Sequence, residues 1–156
     1  MITKQQREAK QLKPLPCREE EVYLSILRTS EMLSWGVNET LKGAELTATQ
    51  YNVLRILRGA GQGGTSCREV GERMVTKDSD ITRLLDRLET RGLISRERES
   101  RDRRVIIVRI SDDGLRLLAE LDPPIAECHH RQLGHLGAKQ LAALSKLLEV
   151  AREKPE

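Results

Sequence analysis

The stretch that decides the fold reads DSDITRLLDRLETRGLI and spans residues 78–94. Its apolar residues recur at the spacing of one helix face, at Ile81, Leu84, Leu85 and Leu88. Gly92 follows, and glycine is a common residue at helix ends. The spacing therefore predicts a helix over 78–91 with one buried face.

Two shorter helices are predicted upstream of this stretch. Thr47 and Gln50 have the spacing of a capping box, in which each side chain binds the other residue's backbone N–H, and Ser66 and Glu69 repeat that spacing. The first box predicts a helix through Arg58, and the second predicts a helix of about two turns.

The periodicity changes after the glycine at the end of the 78–91 helix. Residues 93–99 and 105–110 have the composition of two strands, and the charged segment 100–104 forms the tip between them. Three helices joined by tight turns and followed by a hairpin make a winged helix-turn-helix. The predicted fold class is mainly α with a small β-hairpin wing.

Longer helices are predicted on both sides of this winged lobe, which spans 46–110. One covers about 19–42 and stops near Gly43, after three acidic residues in its first turn. Another opens at Ser111, and Pro123-Pro124 should bend or restart it. A last helix covers about 138–152, and the polar residues 1–18 are predicted to be a mobile arm.

The flanking helices carry more apolar residues than a compact winged lobe needs to bury. Apolar surface of that extent usually finds a partner, so we predict one domain over 19–156 whose segments 19–43 and 111–154 form a homodimer. Packing of these helices on one another within the chain is the alternative, and it stays open.

The composition of the chain excludes some classes of protein and leaves others open. The chain has 156 residues, 38% of them apolar, with 27 basic and 24 acidic residues, so the net charge of +3 is too mild to identify a nucleic-acid partner by itself. It has no apolar run long enough for a membrane span, and its first residues do not resemble a secretory signal. Three widely spaced cysteines fit a reducing compartment, so the expected location is the cytoplasm.

The face of the 78–91 helix opposite its apolar stripe is rich in hydrogen-bonding side chains. These are Lys77, just before the helix, and Ser79, Asp80, Thr82, Arg83, Asp86 and Arg87, of which all but Asp86 are the candidate DNA contacts. Arginine can bind both O6 and N7 of guanine, so this face suits the major groove of double-stranded DNA. A solvated charged face has the same composition, but the hairpin that follows favours DNA. The Asp80 carboxylate could accept from cytosine N4 or repel a phosphate, which leaves the preferred sequence open.

The hairpin tip is a second candidate DNA contact. Residues 96–104 carry five arginines and three carboxylates, a net charge of +2. The candidate contacts among them are Arg101, Asp102, Arg103 and Arg104, and the remaining charges are Arg96, Glu97, Arg98 and Glu99. A basic tip can enter the minor groove, whose negative potential attracts arginine, and Asp102 could hold the Arg104 guanidinium by paired hydrogen bonds. A soluble turn whose charges protect an edge strand is the alternative.

Three motifs together resemble the MarR family of bacterial transcriptional regulators. They are LTATQYNVL at 46–54, the stretch at 78–94, and Asp102-x-Arg104 followed by Ile110-Ser111. The resemblance covers about residues 20–152. It implies a homodimer with helix 78–91 in the major groove, Arg104 in the minor groove, braced by Asp102, and terminal helices at the dimer interface. It also implies a repressor that small phenolic or other ligands release from DNA.

Several other residues invite sharper hypotheses. Tyr23, Trp35 and Tyr51 could line a pocket for a small aromatic effector, although packing is the commoner role of each. The glycines at 59, 61 and 64 match a dinucleotide fingerprint only as a string, so a flexible connector is predicted there.

The cysteines and histidines are candidate redox-sensing or metal-binding groups. Cys128, His129, His130 and His135 lack the spacing of helical metal ligands, so a surface or interface cluster is favoured over a metal site. Cys17 precedes the first helix and supports a redox-sensing alternative, while Cys67 is expected to be a small buried residue.

The sequence therefore predicts a cytoplasmic, ligand-responsive repressor that binds a pseudo-palindromic operator as a homodimer. No catalytic constellation is recognisable, and neither an enzyme nor a cofactor or metal is predicted. A winged helix that binds protein, and a thiol-based redox regulator, are the alternatives.

Overall fold

The computed structural model describes residues 17–75 and 80–153. The chain divides into two compact units, Met1–Trp35 and Gly36–Glu156, and the arm predicted over 1–18 lies mostly outside the described residues. The elements in chain order are α1 (Arg18–Leu41), a 3-10 helix (Lys42–Ala44), α2 (Ala48–Ala60), β1 (Thr65–Ser66), α3 (Cys67–Arg73), α4 (Ile81–Thr90), β2 (Ile94–Arg98), β3 (Ile106–Ile110), α5 (Asp112–Leu133), a second 3-10 helix (Gly134–Leu136) and α6 (Gly137–Arg152).

Capping boxes begin α2 and α3, as predicted. The Gln50 N–H donates to Thr47 Oγ1 at 3.1 Å, and the Thr47 N–H donates to Gln50 Oε1 at 3.0 Å. Ser66 and Glu69 make the equivalent pair of bonds at 3.2 and 3.1 Å. Each box satisfies N–H groups that the first turn of a helix leaves unpaired, so these short helices begin at defined residues.

The core of the second unit is aliphatic and is centred on α2. Val53, Leu54 and Leu57 are fully buried, and they belong to one cluster with the buried residues of α4 and α5. The cluster also contains Leu84, Leu85, Leu88, Val108, Leu118, Leu121 and Ile125. Leu84, Leu85 and Leu88 of the stripe read from the 78–91 stretch therefore lie in the core, as predicted.

A three-stranded antiparallel sheet in the order β1-β3-β2 forms the wing. The hairpin of β2 and β3 was predicted, but the two-residue strand β1 was not. Gly64 precedes β1 where the chain comes close to β3, and its φ is +72°. A Cβ at this position would lie 2.4 Å from the Val108 carbonyl oxygen. Only glycine fits this approach.

The C-terminal helices differ in one respect from prediction. Ser111 caps α5 by accepting from the Gly114 N–H at 3.0 Å, as expected. The helix then continues through Pro123 and Pro124 to Leu133, so the predicted restart at the prolines is wrong. A single turn of 3-10 helix separates α5 from α6. No helix among the described residues is long and apolar enough to cross a membrane.

Candidate nucleic-acid interface

The helix that carries the candidate base-reading face is shorter than predicted. α4 begins at Ile81, not at residue 78, because Asp80 is its N-cap and accepts from the Arg83 N–H at 3.0 Å. A carboxylate at the N-terminus is also favoured by the helix dipole. Asp80 therefore has a structural task that the sequence interpretation did not assign to it.

The outward face of α4 presents Thr82, Arg83 and Arg87 to solvent. Neither guanidinium forms an ion pair with another described residue. They lie one helical turn apart, so they project from the same side. Two of the predicted contact residues, Lys77 and Ser79, lie outside the described residues.

A cleft of about 460 Å³ runs beside this face. Its lining residues are Glu45, Gln50, Arg83, Asp86, Arg87, Thr90 and Arg91. Arg91 is fixed there, since its guanidinium donates to the carbonyl oxygens of Glu45 at 2.7 Å and Ala44 at 2.9 Å. These bonds attach the end of α4 to the turn before α2.

The tip of the wing exposes all four predicted residues, from Arg101 to Arg104. The N–H of Val105 donates to the Asp102 carbonyl at 2.9 Å, which closes the tip. Asp102 does not hold the Arg104 guanidinium as predicted. Its Oδ1 accepts from the Arg104 backbone N–H at 3.0 Å, because a short aspartate side chain reaches the amide two residues on. The brace acts on the loop backbone, and no described residue forms an ion pair with this guanidinium.

Two arginines to which the sequence analysis assigned no contact of their own organise the wing. The Arg96 guanidinium binds Glu89 and Asp86 of α4, and these bonds raise its pKa. Arg109 binds Glu97 Oε2 at 3.0 Å and the Gln62 carbonyl at 3.2 Å. Their partners lie on other elements, so nothing in the local spacing identified them.

The three candidate effector residues have different surroundings. Tyr23 and Trp35 on α1 are 59% and 67% exposed. Tyr51 on α2 is buried, which raises the pKa of its hydroxyl, and Arg55 lies 5.8 Å from its ring centre. Their shared role in a pocket stays a prediction.

The candidate sensing groups are distributed along the chain. Cys17 is exposed, Cys67 is half-buried and Cys128 is buried. Burial raises the pKa of the Cys67 thiol, which disfavours the reactive thiolate there. Within 17–75 and 80–153, no group of three His, Cys, Asp or Glu side chains is arranged so that it could hold a metal ion.

The site geometry agrees with similarities to known proteins. A family model described as MarR family matches residues 46–106. The HTH-type transcriptional repressor MdtR of Bacillus subtilis is 32% identical over 94 residues, which make up 60% of this chain and 59% of that relative. The chain thus spans less than two thirds of MdtR.

Solved structures extend the similarity over most of the chain. The crystal structure of a MarR transcription factor from Planctomyces limnophilus is 40% identical, with a TM-score of 0.68, over 90% of this chain and 99% of its own. BpsR of Bordetella bronchiseptica, whose DNA binding is regulated by 6-hydroxynicotinic acid, is 25% identical, with a TM-score of 0.76, over 85% of this chain and 99% of its own.

Proposed function

The chain belongs to the MarR family of transcriptional regulators, and from that premise we propose that it is a ligand-responsive repressor that binds a pseudo-palindromic operator as a homodimer. The observation that carries the proposal is a set of five exposed guanidiniums on α4 and the wing tip. These belong to Arg83, Arg87, Arg101, Arg103 and Arg104. Within the described part of the chain none of them is used in an ion pair.

Arginine side chains that form no ion pair within the described residues can bind the phosphates and bases of DNA. An α-helix with its side chains is about 10–12 Å across, which matches the major groove width of about 12 Å. In the proposed complex, Arg83 and Arg87 of α4 read base edges there. Arg104 at the wing tip enters the minor groove, where the negative potential favours a guanidinium.

The homodimer is supported by apolar surface on the terminal helices. None of the 16 residues of α6, all described, is buried, and Leu147 and Val150 are 67% and 50% exposed. On α1 the exposed apolar residues are Val22, Tyr23, Ile26, Leu27, Met32 and Trp35. A second copy would remove this surface from water, and two-fold symmetry would present two α4 helices to half-sites about one DNA turn apart.

A small aromatic effector is the proposed ligand. The regulation of BpsR by 6-hydroxynicotinic acid supports this chemistry. The exposed rings of Tyr23 and Trp35 on α1 are proposed contacts, because aromatic planes stack on flat organic molecules.

The proposal is tested by selecting duplexes from a random-sequence library with the purified chain. We expect one enriched, near-palindromic sequence that shifts in a gel and binds at least about a thousandfold tighter than a scrambled duplex of the same composition. Sedimentation of the complex should give two chains per duplex. Equal affinity for selected and scrambled duplexes would show that the chain does not read sequence.

A protein-binding winged helix is the second candidate. Its support is that the charges of α4 itself cancel, since Arg83 and Arg87 are offset by Asp86 and Glu89. A pull-down with immobilised chain and no DNA binding in the selection would favour it over the repressor.

A further inference from the structure

The charge of α4 poses a physical problem for DNA binding. Its two arginines and two carboxylates sum to zero, and Asp86 lines the same cleft as Arg83 and Arg87. Carboxylates that close to phosphates repel them, and they also attract the neighbouring guanidiniums. Something must compensate the carboxylates if this helix is to approach a duplex.

Arg96, on the neighbouring strand β2, supplies that compensation. Its Nη2 lies 2.5 Å from Asp86 Oδ1 and 2.5 Å from Glu89 Oε2, and its Nε donates to the same Glu89 oxygen at 2.9 Å. One guanidinium thus binds both carboxylates of α4 and attaches the helix to the wing.

The exposed fractions of the three side chains show that the carboxylates, and not Arg96, face the solvent. The side chain of Arg96 is only 21% exposed, whereas those of Asp86 and Glu89 are 54% and 38% exposed. Arg96 itself is therefore poorly placed to contact DNA. It acts on the carboxylates from the protein side and draws them toward the strand.

We propose that Arg96 is a positioning residue for DNA binding, an inference that rests on the proposed function. By holding Asp86 and Glu89 against β2, its guanidinium presents the duplex with a helix of net positive charge. The base-reading arginines keep their charge and their freedom to bind DNA because the nearby carboxylates are already occupied.

The test is a double-mutant cycle on the duplex selected by the unaltered chain, with a scrambled duplex as the second probe. Arg96→Met keeps the aliphatic stem and removes the charge, and it should weaken binding to the selected duplex about tenfold. Adding Asp86→Asn should recover most of that loss, because it removes the exposed carboxylate that Arg96 no longer compensates. Asp86→Asn alone should change affinity less than about twofold, because its charge is already compensated.

A merely structural role predicts a different result. In that case Arg96→Met would lower the melting temperature and weaken binding equally with and without Asp86→Asn, which would overturn the inference. If Arg96→Met does not fold, Arg96→Lys replaces it in the test. Lysine keeps the positive charge but lacks the planar guanidinium, so this variant should bind the selected duplex within about threefold of the unaltered chain. A larger loss in a folded Arg96→Lys, not recovered by Asp86→Asn, would also overturn it.

The proposed function and the role of Arg96 can be overturned separately. If the unaltered chain enriches no duplex, both the proposed function and the role of Arg96 are overturned. If it enriches a duplex that Arg96→Met binds with unchanged affinity, only the role of Arg96 is overturned.

Discussion

Two helices of similar length, α2 and α6, relate to water in opposite ways. Of the 13 residues of α2, six are buried, whereas none of the 16 residues of α6 is. Both carry leucines at helical spacing, so their sequences look alike in this respect. The difference is that α2 lies at the centre of the winged lobe, where residues from α4, α5 and the sheet cover it.

An apolar stripe on a helix predicts that this face is buried, but it does not show whether the same chain or a second chain buries it. The apolar face of α2 is buried by α4, α5 and the sheet of the same chain. The stripe of α6 leaves Leu147 and Val150 largely exposed in the single chain, and this exposure is what the proposed homodimer would remove. Substitutions in the two helices should therefore affect different measurements.

The largest effect is expected in the core of the winged lobe. Leu54 on α2 is fully buried, so Leu54→Ala should lower the free energy of unfolding by about 2–5 kcal/mol, from lost transfer energy and the cavity left behind. Urea unfolding measures this. Leu115→Ala on α5, where the leucine is 39% exposed, is the matched control and should cost less than about 1 kcal/mol. Equal costs would remove the contrast between core and surface.

The next effect should appear in assembly and not in folding. Leu147→Lys on α6 should weaken the homodimer by about 2–4 kcal/mol while leaving the melting temperature of the dilute chain unchanged. Sedimentation at a series of concentrations measures the change. Gln140→Lys adds the same charge to a polar position of α6 and should leave the dimer intact. If both variants stay dimeric, this face of α6 is not the interface.

The third prediction concerns the outward face of α4. Arg83→Ala should lower affinity for the selected duplex by about 1–3 kcal/mol and reduce the preference over a scrambled one. Arg131→Ala removes the same charge from α5 and should leave that preference unchanged. A constant ratio of selected to scrambled affinity in the Arg83 variant would mean that this arginine reads no base.

The wing tip should give a smaller and less sequence-dependent change. Arg104→Ala should reduce the slope of log affinity against log salt by about 0.9, the value for one lost phosphate contact. Binding curves at several salt concentrations measure it. An unchanged slope would place Arg104 outside the groove.

The smallest effect is expected where α2 contacts α5. Arg58 donates to Asp122 at 2.7 and 3.0 Å, and these bonds lower the pKa of the Asp122 carboxyl. Because that pKa is lower in the folded than in the unfolded chain, the pair stabilises the fold above the unfolded value. This stability is lost as the pH falls through the folded value.

Asp122→Asn tests this contact. Both side chains are partly exposed, at 35% and 47%, so the variant should lose at most about 1 kcal/mol near pH 7. The difference from the unaltered chain should shrink as the pH falls through the lowered pKa of the folded-state carboxyl, because a protonated Asp122 no longer pairs with Arg58. A difference that does not depend on pH would assign the loss to packing.

Sequence patterns predicted the features that depend on near neighbours. Capping boxes at Thr47 and Ser66, and the apolar spacing of α4, act within a few residues, so the chain order and the core followed from them. The exposed Arg83 and Arg87 of α4 were found in the same way, since they remain on the helix once its buried face is assigned.

The features that were missed depend on distant partners or on single side chains. β1 has only two residues, too few for a period, and it exists because β3 pairs with it. Arg96 was treated as one charge of a basic hairpin because its contacts with α4 require the tertiary arrangement. The true start of α4 depends on Asp80 serving as a cap, a role that a residue on a charged face does not reveal.

Trp35 gives the molecule its own optical reporter. It is the only tryptophan in the chain, and its indole is 67% exposed on α1. Its fluorescence therefore reports the exposure to water of one point on a terminal helix. A shift of that emission to shorter wavelength with rising concentration or added effector would follow the covering of α1 without any label.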